Sequence, residues 1–447
     1  MRSFGLLIVI AALAGPLVWF VPLTAKYDTS ALFSQYLGSA ALIAMGLSQL
    51  LATRFRWLET VFGGLDRIYI IHKWLGVGAI AAVLLHDTVD ADIRGTGLET
   101  FLSDLAESLG EFSLYALLIL VVLSIATFVP YHLWKFTHKF MGALFALSAF
   151  HYAFILKPFD VLEPLGLYVL GFCILGIVCY LYTLLPLTWL ASKHAYTVRS
   201  VEQTGDATSI TLDPVKKGLR HQAGQFAFVS FDAPELHETH PFTISNSPDG
   251  SGSLRFTVKA LGDYTARVDR LLDTGVTASV SGPFGHFSPR GKPDVDIWIA
   301  AGIGITPFAA WAGASNFEKP THLFFCVRDK VSAPHLDELL ALAQTQPNFH
   351  LHLVESAVHG RLDAAYIAKT IDLPLARAKA YFCGPTAMRN ALRKDLKGLG
   401  LKSSKFVYEE FEIRSGLGLR RLLIWVLRRL GRRSSKLDAL QKALSFH

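Results

Sequence analysis

The sequence predicts a six-helix, all-α membrane bundle followed by an antiparallel β-barrel and a parallel α/β domain. Three observations lead there. Residues 1–190 are mostly apolar and sparsely charged, whereas residues 194–412 have the mixed composition of an α/β protein. Within that second part, short alternating runs give way near residue 293 to buried strands, each followed by a turn and a helix. That order belongs to a parallel sheet.

A helix needs about 20 predominantly apolar residues to cross a bilayer. Six stretches reach that length, near 4–24, 32–52, 68–88, 112–130, 137–156 and 165–187. Arg2 precedes the first run as in a signal peptide. The run continues through Trp19-Phe20-Val21-Pro22 without a convincing cleavage site, and it reads as a retained helix. Basic residues mark segments 53–67 (Arg54, Arg56, Arg67), 135–139 (Lys135, Lys139) and 192–199 (Lys193, Arg199). Loop 87–111 carries one arginine against Asp87, Asp90, Asp92, Glu99, Asp104, Glu107 and Glu111. The positive-inside rule puts the basic segments in the cytoplasm. Both ends of the bundle then face inward, and everything after residue 190 is cytoplasmic: a multi-pass protein of the cell (inner) membrane.

The net charge of +7 could suggest nucleic acid. Its basic excess lies beside apolar segments and in the last 35 residues, which favours a lipid bilayer as partner and no nucleic acid. The four cysteines (Cys173, Cys179, Cys326, Cys383) form no metal-binding pair and no disulfide framework. In the second part, Ser209–Leu212, Gln225–Val229 and Leu254–Val258 read as antiparallel strands. The buried runs Asp296–Ala300, Leu323–Val327 and Ala380–Cys383 read as parallel ones.

Ionisable residues inside a membrane are rare and usually functional. His72 and His86 share the third span, His138 and His151 the fifth. The two spans run in the same direction, so His72 matches His138 and His86 matches His151, at levels about 20 Å apart. Two imidazoles at each level suit six-coordinate haem iron, and bundles build such sites from inward-facing side chains. Structural histidines or a proton path are the bland alternatives. His132 has no partner and falls at the interface. A 14-residue spacing keeps His72 and His86 within about 40° of one face, but 13 residues leave His138 and His151 about 140° apart. The fifth helix must therefore bend or bulge, and Gly142 is the expected place.

His240-Pro241-Phe242-Thr243 and the turn Gly262-Asp263-Tyr264-Thr265 have the parts of a flavin site: an aromatic for the ring, a hydroxyl near N5, and backbone N–H groups with a basic residue for the pyrophosphate. Phe242, Thr243, the Gly262–Thr265 turn, and His240 or the Val258-Lys259 strand end fill these roles. Ala301-Gly302-Ile303-Gly304-Ile305-Thr306-Pro307 lies between a buried strand and a helix, where glycines let phosphate approach a helix N-terminus. Arg328, with Asp329 beside it, stands where a basic residue meets a 2′-phosphate, which selects NADPH over NADH; an Arg328–Asp329 surface ion pair is its bland reading.

Together these residues resemble the family of ferric reductases and NADPH oxidases, over roughly residues 1–412. The Hx13H and Hx12H pairs look like its ferric reductase transmembrane domain, and the rest like its ferredoxin–NADP reductase type dehydrogenase. His240–Thr243 matches the HPFT flavin motif, Gly262–Thr265 the pyrophosphate turn, and Gly282-Pro283-Phe284-Gly285 a GPFG turn. Gly302–Phe308 matches the GxGxTPF loop, Arg328-Asp329 the NADPH-selecting pair, and Cys383-Gly384-Pro385 the CGP motif near the nicotinamide. The resemblance implies FAD, NADPH and two b-type haems, with Thr243, Cys383 and the flavin-covering Phe411 at the reacting centre. It divides the chain into a di-haem domain (1–192), an FAD-binding barrel (193–292), an NADPH-binding domain (293–412) and an extension (413–447). The extension departs from the pattern: Gly416–Arg433 mixes leucines with arginines like a basic amphipathic helix on the inner leaflet. Asp90 stands where the oxidases have an oxygen-binding histidine. The acceptor is thus ferric iron or dioxygen, with a quinone or redox protein as a third choice; a homo-oligomer is compatible with the pattern. The rival class is a non-catalytic signalling or proton-conducting bundle with a degenerate nucleotide domain.

Overall fold

The computed structural model of the chain describes residues 3–89, 93, 98–125, 129, 131–185, 193–291 and 293–409. Asp90, Phe411 and the extension 413–447 lie outside the described residues. The chain divides into two compact units, one within Met1–Pro186 and one within Leu187–Phe411, the latter taking in Gly63–Asp66.

In the helical unit, α1 (Ser3–Ala14) and α2 (Leu17–Leu23) meet at Gly15-Pro16. Asp28 starts α3 (Thr29–Ala52) by accepting the Ala31 N–H at 2.9 Å, an N-cap. Then follow α4 (Arg56–Phe62), α5 (Leu65–Thr88), α6 (Phe101–Ile125), α7 (Tyr131–His138), α8 (Phe140–Phe154) and α9 (Pro164–Leu184). Among the described residues, five spans have the length and composition to cross a membrane: Phe4–Leu23, Thr29–Ala52, Leu65–Thr88, Phe101–Ile125 and Pro164–Leu184.

The expected span 137–156 is divided. Helix α8 has 15 residues, a rise of about 22 Å against a hydrocarbon core of about 30 Å. Helix α7 precedes it across Lys139, whose N–H reaches the Phe136 carbonyl at 3.2 Å, a tightened i−3 turn. The deformation therefore falls at Lys139 and not at Gly142. Gly142 is instead a packing position, since a Cβ there would lie 2.1 Å from the Tyr180 ring. The acidic stretch expected as loop up to 111 is helical from Phe101. Its acids at 104, 107 and 111 recur with helical spacing and leave Ser103, Ala106 and Ser113 to be buried.

Close packing joins α3 to α9 and α6 to α8. Small residues permit it: a Cβ on Gly46 would lie 2.4 Å from the Phe172 carbonyl, and one on Gly176 2.4 Å from the Phe145 ring. Phe4, Val18, Trp74, Ile119, Val122 and Val178 project outward. A helical bundle this apolar on its outside belongs in lipid, where helices satisfy their own backbone groups.

The second unit begins with β1 (Lys193–Thr204), β2 (Ala207–Pro214), β3 (Phe226–Phe231), β4 (His240–Thr243), β5 (Leu254–Lys259), the turn of helix α10 (Val268–Leu271) and β6 (Thr277–Phe284). These strands make one antiparallel sheet in the order β4-β3-β6-β1-β2-β5. It curls toward closure, because Ile244 just past β4 bridges Phe256 in β5. Ile210, Phe231, Ile244, Phe256 and Val280 fill the interior, each burial worth about 1.5–3 kcal/mol before entropy. Tyr196 ties the core to its rim by donating to the Gly252 carbonyl and accepting the Leu219 N–H.

Next come β7 (Val295–Ala301), α11 (Thr306–Ala314), β8 (Thr321–Val327), α12 (Leu336–Thr345), β9 (Phe349–Glu355), the short α13 (Ser356–His359), α14 (Ala364–Ile371), β10 (Ala378–Cys383), α15 (Thr386–Gly398) and β11 (Phe406–Tyr408). The parallel sheet has the order β11-β10-β7-β8-β9. Alternation buries Trp298 against Phe308 and Trp311 on one face, and Ile297 and Ile299 against Ile367 and Leu392 on the other. A strand covered on both faces explains the continuous apolar run at 297–300. The chain order reverses between β7 and β10, and crevices at such switch points lie at the strands' carboxyl ends.

Candidate functional site

Three of the four membrane histidines turn Nδ1 to a backbone carbonyl, and the fourth turns it to a hydroxyl. His72 Nδ1 lies 3.0 Å from the Ser48 carbonyl and 2.8 Å from its hydroxyl. His86 Nδ1 lies 2.9 Å from both the Ser34 carbonyl and hydroxyl. His151 Nδ1 lies 2.8 Å from the Ala106 carbonyl, and His138 Nδ1 3.1 Å from the Ser124 hydroxyl. A carbonyl only accepts, so at the first three rings Nδ1 carries the proton and donates, leaving Nε2 with a free lone pair. That is the tautomer a metal requires.

The rings of His72 and His138 stand 6.1 Å apart, centroid to centroid, and Trp134 stacks on His138 at 5.2 Å. His151 lies within electrostatic reach of His86. Glycines admit the second pair: a Cβ on Gly38 would lie 3.3 Å from the His86 ring, and one on Gly110 would lie 2.4 Å from His151 Nδ1. Gly76, one turn beyond His72, faces open space within 4 Å. Among the described residues no third histidine, cysteine or acid joins either pair to make a metal cluster. Two imidazoles with no other protein ligand fit a metal held otherwise by a macrocycle, and the residues present therefore fit haem. His132 is exposed.

On the barrel, β4 sends His240 and Phe242 to one side, with ring centroids 6.2 Å apart. Tyr264 packs on His240 at 3.9 Å, extending an aromatic wall. Thr243 ends the strand and is nearly covered, while Pro241 is exposed. In the Gly262 turn, Thr265 Oγ1 accepts the N–H groups of Leu261 and Gly262 at 2.9 and 3.1 Å. Val258 points into the core, and Lys259 pairs with Asp206 at 2.9 Å. The aromatic wall suits an isoalloxazine and the turn the pyrophosphate of a flavin dinucleotide; Val258 can offer only backbone.

At the sheet's switch point, Gly302 begins a tight turn with φ +56, a left-handed conformation that favours glycine. A Cβ on Gly304 would lie 2.2 Å from the Cys383 carbonyl, so only glycine lets the turn close on β10. Ile303 is half-buried and Ile305 fully buried; Thr306 donates to the Ile303 carbonyl, and Pro307 sits in the first turn of α11. Arg328 is exposed just past β8. Asp329 accepts the Ser332 N–H at 3.0 Å, and no ion pair joins it to Arg328 among the described residues. Cys383 is buried, Gly384 packs against Ala301, and Pro385 starts α15.

Two sets of residues here escape a reading of the chain by motif. Ser34 and Ser48 are 14 residues apart, like His86 and His72, and the antiparallel helices α3 and α5 bring the two spacings into register; the equal spacing was visible in the sequence. Glu409 is buried with its carboxylate beside Gly285 and Cys383. Burial first, and then that carboxylate, raise the Cys383 thiol well above its usual range. The short run 406–409 gave no signal for Glu409.

Three family models match successive parts of the chain: a ferric reductase like transmembrane component over residues 37–149, an FAD-binding domain over 191–288, and an oxidoreductase NAD-binding domain over 298–394. A component of the 1,2-phenylacetyl-CoA epoxidase of Escherichia coli is 28% identical over 248 residues, covering 50% of this chain and 68% of its own. The toluate 1,2-dioxygenase electron transfer component of Pseudomonas putida is 26% identical, covering 48% and 65%. The chain thus spans about two thirds of the length of these relatives. The FAD/NAD-binding domain of nitric oxide dioxygenase from Vibrio cholerae aligns with TM-score 0.44 at 22% identity, over 49% of this chain and 98% of that one. In its domain order, a ferric reductase-like transmembrane component followed by FAD-binding and NAD-binding domains, the chain matches a ferric reductase/NADPH oxidase-like fusion and is a membrane-linked electron-transfer oxidoreductase.

Proposed function

We propose that the chain carries electrons from cytosolic NADPH, by way of FAD and two b-type haems, to ferric iron or dioxygen (giving superoxide) on the outer side of the cell (inner) membrane. When bound, FAD supplies the conversion of a hydride into single electrons and haem iron supplies one-electron carriage. His72 and His138 would hold the inner haem, and His86 and His151 the outer one. The observation that carries this reading is the Nδ1–H of His72, His86 and His151 committed to backbone carbonyls, with Nε2 left free.

The remaining assignments belong to the same proposal. Helices α7 and α8 together make a sixth crossing, bent at Lys139, in a di-haem domain 1–192. The barrel 193–292 would hold the flavin through Phe242, His240, Tyr264 and Thr243, with Phe411 assigned to the flavin by the family resemblance alone. The domain 293–412 receives the nucleotide phosphates at Gly302–Pro307, with Arg328 selecting NADPH over NADH. Cys383, with Glu409 beside it, stands where the nicotinamide would lie.

The test is NADPH oxidation by the purified protein with ferric citrate or dioxygen as acceptor, with and without superoxide dismutase. His86→Leu should abolish acceptor reduction while NADPH still bleaches the flavin. Acceptor reduction unchanged by that substitution would point to a flavin reductase that is merely anchored.

A further inference from the structure

The loop carrying Arg328 is fastened to the flavin barrel at two points. Asp329 folds it by accepting the Ser332 N–H, and Ser332 Oγ donates back to the Asp329 carbonyl at 2.9 Å. Gly205, in the turn between β1 and β2, approaches so closely that a Cβ there would lie 3.0 Å from Ser332 Cα. Three residues on, His335 is held in the left-handed region at φ 63 with its side chain only 2% exposed. Its Nε2 lies 2.8 Å from Thr257 Oγ1 on β5. Beyond it, Arg255 of β5 grips Glu338 of α12 with both terminal nitrogens, at 2.5 and 2.9 Å.

The inner end of this chain of contacts reaches the flavin strand. Thr257 Oγ1 also lies 3.1 Å from Ser245 Oγ, and Ser245 is fully buried two residues past Thr243. Arg255 closes the circuit by donating to the Ser245 carbonyl at 3.2 Å. A non-glycine residue persists in a left-handed conformation only where surrounding contacts over-determine it. Here those contacts join the end of β4 to the loop that would meet a 2′-phosphate. Nothing of the kind is needed to cover apolar surface, since His335 and Thr257 are polar and nearly enclosed.

We propose that His335 and Thr257 are positioning residues, a clamp that sets the Arg328 loop against the flavin strand. Recognition of the 2′-phosphate and presentation of the nicotinamide are thereby governed by one contact. The inference rests on the nucleotide-site reading above.

The test uses the full-length protein in nanodiscs, with Thr257→Val, His335→Asn and the double variant. Valine is nearly isosteric with threonine, and asparagine tolerates the left-handed backbone. Calorimetric titration with NADP+ and NAD+ gives the affinity ratio, while flavin content, thermal unfolding and anaerobic flavin reduction are measured alongside. Each single variant should lower the NADP+ preference by about five- to tenfold, one hydrogen bond's worth. The double variant should be no worse than either single one, as for residues acting as a pair. Flavin content should hold, and flavin reduction by NADPH should slow in parallel. An unchanged affinity ratio with only a lower melting temperature would make the pair structural glue and overturn the proposal, as would additive losses. Native protein that fails to discriminate the two nucleotides would overturn the site assignment itself, and the clamp with it.

Discussion

A methyl group added at Gly110 tests the second histidine level. Its Cβ would lie 2.4 Å from His151 Nδ1 and 2.8 Å from the neighbouring ring carbons. The same Nδ1–H bonds the Ala106 carbonyl at 2.8 Å. Withdrawing the ring to ordinary contact at 3.4 Å moves it by about 1 Å and stretches that bond to roughly 3.8 Å, beyond hydrogen-bond range. The lost bond costs about 1 kcal/mol, and replacing a helical glycine returns about 0.5–1 kcal/mol. Bundle stability should therefore barely move, while the imidazole loses the partner that orients it. Losing such a partner typically lowers metal affinity about 10–100-fold. Gly110→Ala should fold, keep its flavin and inner haem, and drop from two haems per flavin toward one. Haem extraction and released-flavin fluorescence measure the ratio, and Gly171→Ala is the control because nothing lies within 4 Å of its Cβ position. A Gly110→Ala protein with two haems per flavin and unchanged midpoint potentials would refute the reasoning.

Arg328→Ala should raise KM for NADPH about 10–100-fold, the worth of a charge-assisted contact, and leave NADH kinetics unchanged; equal effects on both nucleotides would remove Arg328 from 2′-phosphate recognition. Glu409→Gln keeps shape and removes charge, and should slow flavin reduction by about tenfold with nucleotide affinity intact, as single-turnover kinetics would show. His322, His350 and His352 crowd one face of β8 and β9, with His322 Nδ1 3.0 Å from His352 Nε2. Burial first, and then the two neighbours, lower His322 to about 4. The unfolded chain, with histidine near 6.5, takes up protons first as pH falls, so stability is full above about pH 6.5 and is lost toward pH 4. The loss is on the order of 3 kcal/mol. Melting of the dehydrogenase unit should follow that slope and become shallower in His350→Asn; a flat profile in the native protein would contradict it.

Much of this architecture was legible because periodicity and length are physical constraints. Apolar runs of bilayer length had to be helices, and the run at 297–300 had to be a strand covered on both faces. What escaped was local. The 13-residue histidine spacing requires a deformation, and the helix is interrupted at Lys139, near the basic end of the span, and not at Gly142. Acids at 104, 107 and 111 have the charge of a loop but the spacing of a helix, and the spacing prevails. Motifs located the strand–turn–helix at Gly302–Pro307, and the closeness of Gly304 to Cys383 explains its glycine. Glu409 and the Thr257–His335 contact arise from tertiary approach between segments far apart in sequence, which no local pattern encodes.

The most direct measurement is the absorption spectrum of the purified full-length protein before and after NADPH is added without oxygen. Low-spin bis-histidine haem bands, two haems per flavin and both reduced by NADPH, are the predicted result. Colourless protein, or haem that NADPH leaves oxidised while the flavin bleaches, would contradict a transmembrane electron path.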